Sequence, residues 1–151
     1  LITSLGNIYF DLYCKDCPLS SKNFIKLCKI KYYTHNLIYN VQKDFIAQSG
    51  SPSNCDNSPN NKSIYGIISK NDKDNFFKDE IYPKYILNKK GLLYTANIGP
   101  DINSFTFYIT LSSNNCDEDN RPYQNIRIIH CVILNDPFED LKGMVIPEKS
   151  P

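Results

Sequence analysis

Residues 37–50, LIYNVQKDFIAQSG, decide how the rest of the chain is read. Leu37 to Gln42 alternates loosely between apolar and polar side chains, Lys43-Asp44 interrupts, and Phe45 to Gln48 resumes. Two short strands joined in this way present alternate side chains to one face. That face carries Tyr39 or Asn40, then Phe45 and Gln48, and the small Ser49-Gly50 pair follows. An aromatic, an amide and a glycine-containing loop suit a shallow site for an extended peptide. A second stretch, Gly91 to Pro100 (GLLYTANIGP), reads as its complement.

The flanking sequence fits a β-rich body. Ile2 to Ser4 and Ile8 to Tyr13 read as a hairpin turned by Gly6-Asn7. Pro18 and Ser20 start a helix whose Phe24, Leu27 and Cys28 share one face, and which ends near Lys31. Ser51 to Lys62 is turn chemistry throughout and is expected as a long surface loop. Lys70 to Asp79 reads as a charged excursion whose Phe76 and Phe77 tuck back onto the body. Gly91 to Ile98 and Phe105 to Leu111 read as two further strands. Ile126 to Leu134 (IRIIHCVIL), the most apolar run, is expected as a central strand with His130 packed in the core. The residues from Asn135 onward are expected to be exposed.

A chain of 151 residues fits one domain with a sizeable core. Its net charge of +1 provides no field to gather nucleic acid or a membrane surface. Eleven Tyr, eight Phe and no Trp favour a β-rich core. No charged leader or long apolar run follows Leu1, so we expect a soluble intracellular domain with a trimmed start, neither secreted nor membrane-bound. Six cysteines in such a chain are read as thiols. Cys14-Lys-Asp-Cys17 is a C-x-x-C, the spacing of a redox motif or half a zinc site, but no second pair accompanies it. His35 and His130 are not at ligand spacing from it, so two loop-edge cysteines before a helix is the favoured reading. No metal and no cofactor is expected.

Many strands, few helices and long polar loops point to an antiparallel barrel. The residues go further. NFIKLCKIKYY (Asn23 to Tyr33), DFIAQSGSP (Asp44 to Pro52), KSIYG (Lys62 to Gly66) and NKKGLLYTANIGP (Asn88 to Pro100) together resemble the cyclophilins, the cyclosporin-binding peptidyl-prolyl cis-trans isomerases. The resemblance spans almost the whole chain, with the motifs in the family's order. It implies a mainly β fold: a closed antiparallel barrel of about eight strands capped by two helices, with the active groove on its outside. Residues 1–140 would form this domain, and 141–151 an exposed tail or linker.

LIYNVQKDFIAQSG and YQNIRIIHCVILNDPFED (Tyr123 to Asp140) further resemble nuclear cyclophilins that continue into an RNA-recognition motif. That resemblance implies an amino-terminal fragment, a nuclear location (otherwise cytoplasmic) and spliceosomal protein partners. RNA would be met only through the absent downstream domain. The expected ligands are proline-containing segments, bound by a monomer.

Carried over by motif, Phe45 and Ile46 stand at the proline pocket, Gln48 at the groove glutamine and Ala96-Asn97 at the substrate-binding backbone. Tyr108 replaces a pocket phenylalanine. The catalytic arginine falls at Asn40 and a second groove glutamine at Thr106. Ser104 and Phe105 replace a glycine and a serine, which is expected to change the groove floor. Ser51 replaces an acidic residue. After Asn115 the family continues with two strands and a helix, whereas this chain passes directly to Cys116. A barrel lacking a central strand exposes two edges, so a segment is expected to be missing between Asn115 and Cys116. The resemblance thus implies an isomerase of weak activity, or an inactive proline-binding module, with weak cyclosporin affinity.

Overall fold

A computed structural model describes residues 1–52, 61–85, 89–97, 99–111 and 124–148. The strands are β1 (Ile2–Thr3), β2 (Gly6–Asn7), β3 (Asn40–Gln42), β4 (Ile46–Ser49), β5 (Leu93–Asn97), β6 (Asn103–Thr110) and β7 (Ile128–His130). Two helices, α1 (Pro18–Lys29) and α2 (Ile64–Ser69), accompany them. All pairing is antiparallel, in a three-stranded sheet ordered β2-β1-β7 and a four-stranded sheet ordered β3-β4-β6-β5.

The two sheets are linked through the residues before β3. Leu37 bridges Arg127, and the Ile38 amide donates to the Ile126 carbonyl at 2.9 Å. One continuous ribbon therefore runs from β2 to β5. The expected closed barrel is open between its two ends among the described residues, where a cleft of about 620 Å³ has Leu12 and Tyr13 on one side and Leu93 and Thr95 on the other. Asn115 and Cys116 lie outside the described residues.

The core lies between the ribbon and α1. Leu27 and Cys28 of α1 pack with Tyr33, Ile64, Phe105, Phe107 and Ile128. Phe24 meets Phe107 edge-on at 5.4 Å, and Tyr33 does so at 5.3 Å. The Tyr33 hydroxyl donates to the Phe105 carbonyl at 2.8 Å, so this buried phenol is satisfied. Phe105 is thus core and not groove floor: as an odd-numbered residue of β6 it faces α1, opposite Thr106.

Several sequence expectations shift by local chemistry. The first hairpin turns at Ser4-Leu5, two residues early, because Thr3 Oγ1 accepts from the Leu5 amide and donates to the Gly6 carbonyl. Gly6 and Asn7 are then strand, Ile8 still exchanges backbone hydrogen bonds with Leu1 at 2.8 and 2.6 Å, and residues 9–13 leave the ladder. The run Ile126 to Leu134 contributes only three strand residues, with Ile129, Val132 and Leu134 exposed while Ile128 and Cys131 are buried. His130 is half-buried. Phe77 is buried as expected, but Phe76 stays exposed. Ser51, the root of the expected surface loop, is buried, and residues 53–60 lie outside the described part. The segment after Asn135 is not uniformly exposed: Asp136, the Phe138 carbonyl and Asp140 all accept from Lys26 Nζ, and Leu141 packs on the core.

Candidate functional site

Register brings several of the expected groove residues together before any side chain is considered. Asn40 pairs with Gln48, Gln48 with Tyr108, and Tyr108 with Tyr94. These side chains form one row across all four strands, on the face away from α1. The neighbouring row is Gln42, Ile46 and Thr110. Thr106, two residues before Tyr108, lies on the same face.

The row is neutral and internally bonded. Asn40 Nδ2 donates to Gln48 Oε1 at 3.0 Å, with Gln48 buried and Asn40 half-buried. Tyr94 and Tyr108 are half-buried, with ring centroids 5.1 Å apart and planes at 51°. Burial pushes the Tyr94 hydroxyl up, and Tyr108 adds to that, so Tyr94 lies on this face as a neutral phenol at pH 7. No cation stands in this row. Of the two arginines in the sequence, Arg127 donates to the His35 carbonyl at 3.0 Å, and Arg121 lies outside the described residues.

The close approach of β4 to β6 depends on Gly50. Its φ is +106°, and a Cβ there would lie 2.5 Å from the Phe105 carbonyl oxygen and 3.1 Å from Thr106 Cα. Only glycine meets both conditions at ordinary cost. Gly50 therefore sets the spacing at the Thr106 end of the face.

The remaining expected residues separate. Ile46 is buried on the groove face, whereas Phe45 sits at the hairpin tip after the left-handed Asp44 and is 59% exposed. The two residues that sequence places side by side in a proline pocket thus differ sharply in exposure. The Phe45 backbone is held at both ends, its amide donating to the Gln42 carbonyl at 3.1 Å and its carbonyl accepting from the Leu111 amide at 2.9 Å. Ala96 is buried beside the irregularity in β5, and exposed Asn97 donates to Asp79 Oδ1 at 3.1 Å. Sequence reading missed Tyr94. The signal was available in the alternation Leu92, Tyr94, Ala96, which brings Tyr94 to the face of Tyr108.

The family model described as "Cyclophilin type peptidyl-prolyl cis-trans isomerase/CLD" matches residues 1–123. The chain belongs to the cyclophilin family. A human relative named peptidyl-prolyl cis-trans isomerase-like 4 is 38% identical over 178 residues, covering 100% of this chain and 36% of its own. Peptidyl-prolyl cis-trans isomerase CYP59 of Arabidopsis thaliana is 38% identical over 167 residues, covering 93% and 32%. This cyclophilin therefore spans about a third of the length of these relatives. The human alignment occupies 178 positions against 151 residues here, a surplus of 27 without counterpart in this chain. A crystal structure of a Cryptosporidium parvum cyclophilin-type isomerase superposes with a TM-score of 0.75 at 28% identity, covering 90% of this chain and 96% of that one. A second structure of that protein, in the presence of the dipeptide Ala-Pro, also gives 0.75 at 28% identity, covering 89% and 97%. The chain thus carries a cyclophilin-type peptidyl-prolyl isomerase domain with the cyclophilin fold. No helix among the described residues is long and apolar enough to cross a membrane.

Proposed function

We propose that this cyclophilin domain binds X-Pro segments along the Asn40–Gln48–Tyr108–Tyr94 face and isomerises them weakly. The observation that carries the reading is the Asn40–Gln48 amide pair at the position where the family has its arginine. Rotation about an X-Pro bond must overcome a barrier of ~18–20 kcal/mol while its partial double bond is lost. No covalent bond is made or broken, so acceleration comes only from binding the twisted peptide better than either planar form. A guanidinium would donate to the proline nitrogen as it becomes pyramidal. Asn40 is short and neutral, and its amide already donates to Gln48. Loss of one preorganised donor costs about 2.7–4 kcal/mol, a hundred- to thousandfold in rate.

Binding depends less on that charge. Ile46 and Tyr108 offer apolar contact to a proline ring, the Gln48 amide and the Ala96-Asn97 backbone offer hydrogen bonds, and Phe45 supplies an exposed aromatic at the rim. The presence of Ala-Pro with the C. parvum relative supports proline as the recognised residue. Thr106 is shorter than the family's glutamine and removes a second polar contact, which lowers cyclosporin affinity as well. Titrating an Ala-Pro-containing peptide into the labelled domain and following Ile46, Gln48 and Tyr108 by NMR tests the reading. Saturable shifts at these residues are expected, and shifts confined to other surfaces would overturn it.

The same Asn40 and Thr106 favour a second reading, a domain kept only for docking proline-rich segments. The motif Tyr123 to Asp140 supports placing it in a nuclear RNA-processing assembly, and the proteins there would be its partners. A domain that binds the peptide saturably but leaves its cis/trans exchange rate at the solution value would decide for docking.

A further inference from the structure

Of the nine prolines, Pro59, Pro122 and Pro151 lie outside the described residues, which leaves six described X-Pro bonds. Five of these are built into the fold. Pro18 opens α1, where the Cys17 carbonyl accepts from the Ser21 amide at 3.0 Å. Ser51, before Pro52, is buried. The Tyr82 carbonyl accepts from the Tyr85 amide at 3.0 Å, closing a turn on Pro83, and the Gly99 carbonyl accepts from the Ile102 amide at 3.3 Å around Pro100. Asp136, before Pro137, accepts from Lys26 Nζ at 2.7 Å.

Ile146-Pro147 is the exception. The last backbone hydrogen bond before it runs from the Met144 amide to the Leu141 carbonyl at 3.0 Å. Beyond that bond Val145 is 81% exposed, Ile146 is 45% exposed and Pro147 is exposed, on a backbone that is neither helix, strand nor turn. Two branched apolar side chains thus precede a proline with nothing covering them. The groove face lies on the other side of the ribbon. Asp136, the Phe138 carbonyl and Asp140 hold the chain to Lys26 of α1, and Gly143 sits beside Ile68 of α2. Asn40, Gln48 and Tyr108 lie on the face away from α1. From Met144 to Pro147 is about 10 Å of fully extended chain, whereas α1 alone is about 10–12 Å across. While these anchors hold, the segment falls short of its own groove and is open to that of another copy.

We propose that Val145-Ile146-Pro147 of one copy docks on the groove face of a second copy, so that the domain is a ligand for itself. The inference rests on the X-Pro binding proposed for that face. Ile46 and Tyr108 meet the Pro147 ring, the Gln48 amide meets the peptide backbone, and Ile146 loses its exposure. The Asn40–Gln48–Tyr108–Tyr94 row holds no cation and the segment no charge before Glu148, so docking strips no ion of its water. A net charge of +1 leaves little repulsion between copies. The contact joins different surfaces of the two copies, head to tail, so it builds rings or open chains and not a two-fold dimer.

The test mixes isotope-labelled Pro147→Ala, which keeps the groove and loses the proline, with the unlabelled natural chain of 151 residues. Pro147 is exposed, so the variant keeps its fold. NMR should show concentration-dependent shifts at Ile46, Gln48 and Tyr108 of the labelled copy, reversed by excess Ala-Pro peptide. Unlabelled Pro147→Ala in place of the natural chain should give none. In sedimentation, the average mass of the natural chain should rise with concentration while that of Pro147→Ala stays at the monomer. Groove shifts that persist with unlabelled Pro147→Ala, or equal self-association by the two chains, overturn the proposal. Groove shifts with Ala-Pro peptide but none with the natural chain overturn this proposal alone and leave proline binding standing. A groove silent to both overturns the two together.

Discussion

Asn40 decides the chemistry of the groove face, and Gly50 decides its shape. The Asn40 amide faces Gln48 across the β3–β4 ladder and is satisfied there, so an arginine at position 40 would have to displace that bond. If the remaining face is competent, Asn40→Arg raises kcat/KM by up to about a hundredfold to a thousandfold. Stopped-flow isomerisation of a proline peptide measures it, and an unchanged rate would assign the defect to Thr106 instead. Gly50→Ala acts on structure. Its Cβ would overlap the Phe105 carbonyl in a backbone conformation that alanine resists, so urea unfolding should show a loss of about 1–3 kcal/mol. Full stability in that variant would mean β4 and β6 can separate at this end. Asn40 and Gln48 were legible in sequence as two positions of one hairpin. That Phe105 faces α1 was not, because parity along β6 is fixed only once Tyr108 is paired with Gln48.

Helix α1 shows why element boundaries were easier to read than element anchoring. Pro18 and the Phe24, Leu27, Cys28 spacing identified the helix, and it ends at Lys29, two residues before the expected stop and before the left-handed Lys31. Its anchors come from far away. Glu80 caps its first turn from 61 residues along the chain. Asn23 donates to the Ser104 carbonyl at 2.6 Å and accepts from the Ile64 amide at 2.8 Å, joining α1 to β6 and α2. Lys26, fully buried, donates to Asp136, the Phe138 carbonyl and Asp140. No local pattern announces such partners. Glu80→Ala should lower stability by about 1 kcal/mol through the lost cap, read from the thermal midpoint; no change would show that water replaces the carboxylate.

The Lys26 cluster also makes the domain acid-sensitive. Burial raises the Asp136 carboxyl, but Lys26, the Phe138 amide and Lys29 together outweigh that and leave it lowered; Lys26, then Lys29, lowers Asp140. Both folded values lie below the ordinary carboxylate value of about 3.9, so the unfolded chain binds more protons in acid. The contribution is complete above that value and is lost as pH falls through the lower folded values. Unfolding midpoints followed from pH 6 to below pH 3 should fall less steeply in Lys26→Met than in the unaltered chain, and parallel curves would remove Lys26 from the account.

The whole molecule is a cyclophilin ribbon whose two ends remain unpaired among the described residues. Composition and motif order made the family legible, since turn and groove residues are local in sequence. Closure is a long-range property that no local motif announces. The proposed role of the Asn40–Gln48–Tyr108–Tyr94 face is to hold proline and turn it poorly. Protease-free exchange NMR on an Ala-Pro peptide with the whole 151-residue chain, alongside Asn40→Arg, separates binding from turnover. Both should bind saturably, with catalysed exchange slower in the natural chain by about a hundredfold or more. Equal rates, with the natural chain as fast as an arginine-bearing cyclophilin, would contradict it.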